Sequence, residues 1–161
     1  MKLTEQHRYD AAPKAVWAML CDPAFRDDVC RATGAQQWEV DIDADTTGGT
    51  VRVTRQIAAQ VSDALKKFVG DTVTIVQTER WGAAGGDGAR SSDLRLDVVS
   101  QPAAMTGTQS LTALDAGTVF ALAGDLKVSI PLLGGKIEKE IAKAVSAGQA
   151  EEHRLGVHYL A

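Results

Sequence analysis

Polar side chains at otherwise apolar positions are the first candidates for chemistry in this sequence of 161 residues. A mostly apolar pocket needs only a few polar groups to orient a ligand, so such side chains are what a binding site would use. Each candidate shares a predicted strand face or helix face with apolar neighbours. The predicted ligand-binding set is His7, Tyr9, Arg55, Glu79, Trp81, Gln109, Ile141, Val145, Gly148 and Glu152.

The charged members of this set allow two kinds of chemistry. Arg55 could form an ion pair with Glu79 or Glu152, inside the pocket or at its mouth, because an unpaired buried charge costs several kcal/mol. A pocket glutamate, histidine or tyrosine could also act as a general acid or base. Each of these residues also has a structural alternative. His7 could be a partly exposed strand residue, Trp81 could belong to the core, and Arg55 and Glu79 could lie where the sheet edge meets solvent. No residue is therefore predicted to be catalytic.

Motifs of the common enzyme and metal sites do not occur in the sequence. The chain has no GxSxG or HExxH motif, and the glycine-rich stretch 85–88 lacks the lysine and the strand–helix context of a phosphate-binding loop. The three histidines, His7, His153 and His158, are not clustered, and the last two lie on different faces of a helix. We predict neither a metal nor a cofactor.

Glu152 must be positioned by a long C-terminal helix. Apolar or small residues recur there at steps of three and four, which is typical of one helix face, and Glu152 lies in the same stripe. The stripe consists of Ile137, Ile141, Ala144, Val145, Gly148, Leu155 and Tyr159. Such a helix is about 34 Å long and must pack along something broad. Pro131 and the pair Gly134-Gly135 separate it from the strand before it.

Seven segments alternate apolar and polar residues, as strands with one buried face do. They span residues 3–9, 38–42, 51–57, 73–81, 94–98, 105–114 and 119–128. Asp115-Ala116-Gly117 is typical of a three-residue hairpin, and the stretches 46–49 and 82–90 are rich in turn residues. Strands in succession with short turns predict an antiparallel meander.

Two short helices are predicted between the first and second strands. Ala12-Pro13 opens the first, on which Trp17 anchors the helix to the sheet, and Asp22-Pro23 separates it from the second. The segment 58–70 is ambiguous between a short helix and an irregular connection after the strand, and the pattern favours the irregular connection.

The order of elements predicts an α+β fold in which one helix covers one curved antiparallel sheet of about seven strands. Aromatic residues make up only 5% of the chain, and the helix stripe includes Ala144 and Gly148. Small residues between a sheet and a helix favour a cavity over a filled core. The alternative is that the alanine content reflects sequence bias and the neighbours repack.

Composition narrows the class of protein. The chain has 17 basic and 21 acidic residues, a net charge of −4, and no block of Lys or Arg that would suit a nucleic acid. No stretch of eighteen apolar residues suggests a membrane span, and the first residues reach charge too early for a signal peptide. We therefore expect a cytoplasmic protein in which Cys21 and Cys30 are free thiols. The oligomeric state is left open.

Two motifs resemble a known superfamily. The stretch from Tyr9 to Leu20 (YDAAPKAVWAML), followed by Asp22-Pro23, resembles the opening of the START-like, Bet v 1-like (SRPBCC) superfamily. The stretch from Ile130 to Ile141 (IPLLGGKIEKEI) resembles the entry to its long helix. The likeness covers essentially the whole chain and is closest to a mainly actinobacterial branch, the domain-of-unknown-function family 2505. It implies a helix-grip fold and a single ligand-binding domain over residues 1–161.

The resemblance indicates function less directly than fold, because members of this superfamily include carriers, receptors, cyclases and chaperone activators. The interpretation favoured here is a binding or carrier protein for a hydrophobic small molecule, such as a lipid or a polyketide-like compound. One alternative is a cyclase- or dehydratase-like enzyme that uses a pocket Glu, His or Tyr. The other is a protein-interaction module with a vestigial cavity.

Overall fold

One antiparallel sheet of seven strands forms the frame of the molecule, as predicted. The computed structural model describes residues 1–59 and 61–161. The strands are β1 Lys2–Tyr9, β2 Gln37–Asp45, β3 Gly48–Ala58, β4 Thr72–Trp81, β5 Arg90–Val98, β6 Ala103–Leu114 and β7 Gly117–Val128. Their order across the sheet is β1-β7-β6-β5-β4-β3-β2. β2 to β7 form the predicted meander, and β1 joins beside β7, where Lys2 lies opposite Asp125 and Tyr9 opposite Thr118.

Four helices accompany the sheet. They are α1 Pro13–Leu20, α2 Pro23–Ala32, α3 Asp63–Val69 and α4 Gly134–Leu160. Proline stands in the first turn of α1 and of α2, where its missing N–H costs no hydrogen bond. The side chain of Asp22 accepts a hydrogen bond from Ala24 N at 2.9 Å, so it caps α2. No helix within the described residues combines the length and apolar character needed to cross a membrane.

Within the segment after β3, residues Asp63–Val69 form a helix, so the irregular connection predicted there was wrong; residue 60 of that segment lies outside the described residues. The seven residues of α3 are too few to be stable in isolation, and tertiary packing supplies what the local sequence does not. Leu65 is buried against Ala103, Val128 and Ile137. Gly70, with φ of +86°, ends the helix in a conformation that favours glycine.

The long helix α4 contacts β1, β7, α1 and α2. It begins at Gly134, about one turn before the predicted stripe, while β7 ends at Val128. The indole rings of Trp17 on α1 and Trp81 on β4 lie 5.3 Å apart, which confirms that Trp17 anchors α1 to the sheet. Because α4 crosses near the β1–β7 edge, the concave face of the central strands is not filled by the helix. The whole is an α+β helix-grip arrangement.

Candidate functional site

A cavity of about 600 Å³ lies between α4 and the concave face of the sheet. Strands β3 to β7, the end of α2, and α4 all contribute to its lining. Most lining side chains are aliphatic, among them Ile57, Ile75, Leu96, Met105, Leu126 and Ile141. Ile137 and Glu152, both on its wall, are about 22 Å apart along α4 at the helical rise.

Small side chains on α4 leave this space open. Ala144 and Gly148 both line the cavity. No atom lies within 4 Å of the position that a Cβ at Gly148 would take. A larger side chain at either position would project into the gap between helix and sheet. The composition of the helix stripe therefore accounts for the cavity, as the sequence predicted.

The structure brings six of the ten predicted ligand-binding residues to the cavity wall. These are Arg55, Gln109, Ile141, Val145, Gly148 and Glu152. The other four, His7, Tyr9, Glu79 and Trp81, do not line it. Among the four predicted Glu, His and Tyr site residues, Glu152 is therefore the one that lines the cavity; Glu151, outside the predicted set, lines it as well.

The polar part of the wall is a short chain of hydrogen bonds. Arg55 Nη1 donates to Gln77 Oε1 at 3.0 Å, and Gln77 Nε2 in turn donates to Glu79 Oε1 at 2.5 Å. On β6, Gln109 Oε1 accepts a hydrogen bond of 2.7 Å from Ser92 Oγ, which fixes the orientation of the amide. Gln77 was not among the predicted residues, although it shares the strand parity of Ile75.

Glu79 is fully buried and pairs with Arg26 instead of Arg55. Arg26 Nη1 and Nη2 donate to the two carboxylate oxygens of Glu79 at 3.1 and 3.0 Å, and Arg26 Nε donates to Leu20 O at 2.7 Å. The predicted Arg55–Glu79 pair and the solvent-exposed position considered for Glu79 are therefore both wrong. The sequence analysis did not single out Arg26. The available signal was that Arg26 lies on the same face of α2 as Cys30.

Trp81 completes the surroundings of Glu79. Its Nε1 donates to Glu79 Oε2 at 2.8 Å, and its ring packs on Trp17. The side chain is 5% exposed, so Trp81 belongs to the core, which was the structural alternative for this residue.

Glu152 presents a buried carboxyl group to the cavity. The residue is 8% exposed, and its side chain has no hydrogen bond to any other described residue. Burial raises the pKa of Glu152, and the nearby Glu79 adds to this, while Arg26 and Arg55 act in the opposite direction. Burial also lowers the pKa of Arg55. The predicted Arg55–Glu152 pair does not form at ion-pair distance, although the two charges influence each other.

His7 and Tyr9 lie beneath α4 on the β1 side, away from the cavity wall. The rings of His7 and His153 are stacked with centroids 4.8 Å apart, and Tyr9 lies 5.0 Å from His153. Burial lowers the pKa of His7, and His153 lowers it further. Ser146 Oγ donates to Glu5, whose carboxylate lies 3.8 Å from His7 Nε2. His7 is half-buried, in agreement with its structural interpretation.

Comparison with known proteins gives a family. The family model described as "Protein of unknown function (DUF2505)" matches residues 4–160. The chain belongs to this family. No sequence among the curated proteins matches this DUF2505 chain.

Solved structures similar to the DUF2505 chain share its fold at low sequence identity. The protein TTHA0849 from Thermus thermophilus has a TM-score of 0.65 and 15% identity, covering 99% of both chains. The Zhui aromatase/cyclase from Streptomyces sp. R1128 has a TM-score of 0.63 and 12% identity, covering 99% of this chain and 93% of its own. A STAR-related lipid transfer protein from Xanthomonas axonopodis has a TM-score of 0.60 and 17% identity, covering 94% and 84%. These similarities place the chain in the START-like, Bet v 1-like fold.

Proposed function

We propose that this protein binds or carries a hydrophobic small molecule, such as a lipid or a polyketide-like compound, in the cavity beneath α4. The observation that carries the proposal is the cavity itself, about 600 Å³ with a mostly aliphatic wall. Sites for small molecules are typically about 300–1,000 Å³ and are apolar with a few polar groups. Arg55, Gln109 and Glu152 are polar groups of that kind.

The energetics permit such a ligand. Burying about 300 Å² of apolar ligand surface at roughly 25 cal/mol per Å² yields about 7 kcal/mol before the costs of association. Micromolar affinity requires about 8 kcal/mol. A few polar contacts near Arg55 therefore determine whether the affinity reaches the micromolar range.

Other observations support the same proposal. Two proteins of similar fold are described as a lipid transfer protein and an aromatase/cyclase. Cys21 and Cys30 are free thiols, as expected for the cytoplasmic location that we propose. We take residues 1–161 as one ligand-binding domain of the mainly actinobacterial branch of its family.

Native mass spectrometry of protein purified without denaturation tests the proposal. We expect a co-purified lipophilic molecule, released when the protein is unfolded. Gly148→Phe should abolish the adduct, because the ring would fill the open space beside Gly148. Ala150→Phe is the matched control, since Ala150 is exposed on the same helix and does not line the cavity.

Two outcomes would count against the carrier function. The first is an apo mass for the wild-type protein from several expression hosts, combined with no binding of added lipophilic probes. The second is an adduct of equal occupancy in the Gly148→Phe and Ala150→Phe variants, because the molecule would then be bound outside the cavity.

A further inference from the structure

Arg55 is a cation without a carboxylate partner on the wall of an apolar cavity. A guanidinium carries several N–H donors in a fixed fork. Among the described residues, Arg55 uses one of them, in the bond to Gln77 Oε1 at 3.0 Å. Glu79, the nearest candidate on the neighbouring strand, is already held by both Nη atoms of Arg26. The remaining donors of Arg55 are therefore available to a molecule in the cavity.

Two further side chains present hydrogen-bonding groups to the same space. Gln109 has its Oε1 occupied by Ser92 Oγ at 2.7 Å, which leaves the Nε2 amide group to donate into the cavity. Glu152 is 8% exposed and has no hydrogen-bond partner among the described residues. A buried carboxyl group that lacks a partner favours its neutral form, in which it is a donor. Arg55 and Glu152 interact electrostatically and therefore lie near each other, whereas Gln109 is three strands away from Arg55 in the sheet.

We propose that the cavity selects an amphiphilic organic acid, whose carboxylate binds Arg55 while its hydrocarbon part fills the aliphatic remainder. This inference rests on the proposed function and names the class of ligand. A carboxylate is the acceptor that best matches the planar fork of a guanidinium, and charge-assisted hydrogen bonds are the stronger ones. Glu152 in its neutral form, near Arg55, is the second donor.

The charges around Glu152 fix the sign of the pH dependence. The titratable and charged groups that act on Glu152 from the packed elements are Tyr9 on β1, Arg26 and Cys30 on α2, Arg55 on β3, and Glu79 on β4. Arg26 and Glu79 neutralise each other, and Glu151, which also lines the cavity, pairs with Arg154 at 2.6 Å, so Arg55 and Glu152 decide the net charge at the wall. Burial raises the pKa of Glu152. As the pH rises through that pKa, Glu152 ionises, repels a bound carboxylate and weakens binding.

Isothermal titration with dodecanoic acid and dodecanol, which share a hydrocarbon chain, tests the inference. Wild-type protein should bind the acid about tenfold more tightly than the alcohol, or better, near pH 6. Arg55→Met should remove this preference. Arg52→Met is the matched control, because Arg52 is an exposed arginine on the same strand, β3. In Glu152→Gln, the affinity for the acid should no longer fall as the pH rises above about 6.

The outcomes separate this inference from the proposed function. Equal affinity for the acid and the alcohol overturns the acid preference and leaves the carrier function standing. Failure to bind either probe contradicts both. A preference that survives in Arg55→Met also overturns the inference, and circular dichroism establishes that this variant is folded. If it does not fold, the pH dependence of Glu152→Gln decides: a decline equal to that of the wild type contradicts the assigned role.

Discussion

At the residue scale, the most unusual feature is a fully paired charge cluster inside the core. Arg26 and Glu79 are 3% and 0% exposed, and all three contacts of the Arg26 guanidinium are directional hydrogen bonds. Burial by itself would lower the pKa of Arg26, but the charges of Glu79 and Glu152 and the hydrogen bond to Glu79 together offset this, and the pKa lies above its usual value. Gln77 and Trp81 donate the remaining hydrogen bonds to the carboxylate. Removing one partner would leave the other charge buried alone.

Arg26→Met should therefore destabilise the protein by about 3–5 kcal/mol, because it leaves Glu79 buried without its counter-charge. The double variant Arg26→Met with Glu79→Gln should be less destabilised than the single one. The measurement is the free energy of unfolding in urea. Arg31→Met on the same helix is the control, since the Arg31–Asp28 pair is on the surface and its loss should have little effect. An equal loss of unfolding free energy in Arg26→Met and Arg31→Met would contradict this account.

At the residue scale, too, the charged side chains on the cavity wall differ from the buried pair behind it, because they have fewer hydrogen-bond partners. The Arg26–Glu79 pair is complete, while Arg55 and Glu152 keep hydrogen-bonding capacity that no described residue uses. The complete pair links α2 to β4 through two hydrogen bonds. The incomplete groups are those that line the cavity.

At the element scale, α4 uses glycine for two opposite purposes. Gly156 is buried where the helix crosses β1, and a Cβ there would lie 2.7 Å from Tyr9 Cε1 and 3.1 Å from Met19 Cε. Gly148, two turns earlier, faces open space in the cavity wall. The first glycine permits close packing of the helix on the sheet, and the second leaves room beneath it.

Gly156→Ala and Gly148→Ala should accordingly change stability in opposite directions. Alanine is favoured over glycine inside a helix by about 1 kcal/mol, so Gly148→Ala should stabilise the protein by up to that amount. In Gly156→Ala the clash with the packed Tyr9 ring should outweigh this gain and destabilise by about 1–3 kcal/mol. Thermal unfolding of the two variants measures the difference. A rise in Tm for both would show that α4 can shift away from Tyr9 at little cost.

At the scale of the whole molecule, the fold tolerates a buried acid, Glu152, that has no hydrogen-bond partner among the described residues. Burial raises the pKa of Glu152 above its usual value of 4.5. A carboxyl group with a raised pKa in the folded state favours folding at low pH, and this contribution is lost as the pH rises through the folded-state pKa. The ionised form of Glu152 therefore destabilises the fold.

Glu152→Gln should raise the Tm relative to wild type near pH 8, and the difference should shrink as the pH falls towards about 3, below the usual pKa, where Glu152 is neutral in both folded and unfolded chains. Differential scanning calorimetry across this range is the measurement. Glu151→Gln is a control of opposite sign, because the hydrogen bond from Arg154 lowers the pKa of Glu151. A Tm difference for Glu152→Gln that does not vary with pH would show that ionisation of Glu152 is not coupled to folding.

The sequence by itself determined the elements and their order. Alternation of apolar residues located all seven strands, and steps of three and four located α4 and its inward face, because each periodicity follows from local backbone geometry. The small residues Ala144 and Gly148 predicted the cavity. The local pattern did not predict α3. The segment does not specify a helix by its own sequence, and the packing of one buried residue, Leu65, stabilises it.

Only the tertiary structure decided which polar residues meet. Periodicity assigns a side chain to a face, but the curvature of the sheet and the crossing of α4 set the distances between faces. Glu79 is therefore paired with Arg26, which lies 53 residues away in sequence, and Arg55 is left facing the cavity. The same crossing places His7 and Tyr9 under the helix, while Glu152 on that helix reaches the cavity wall.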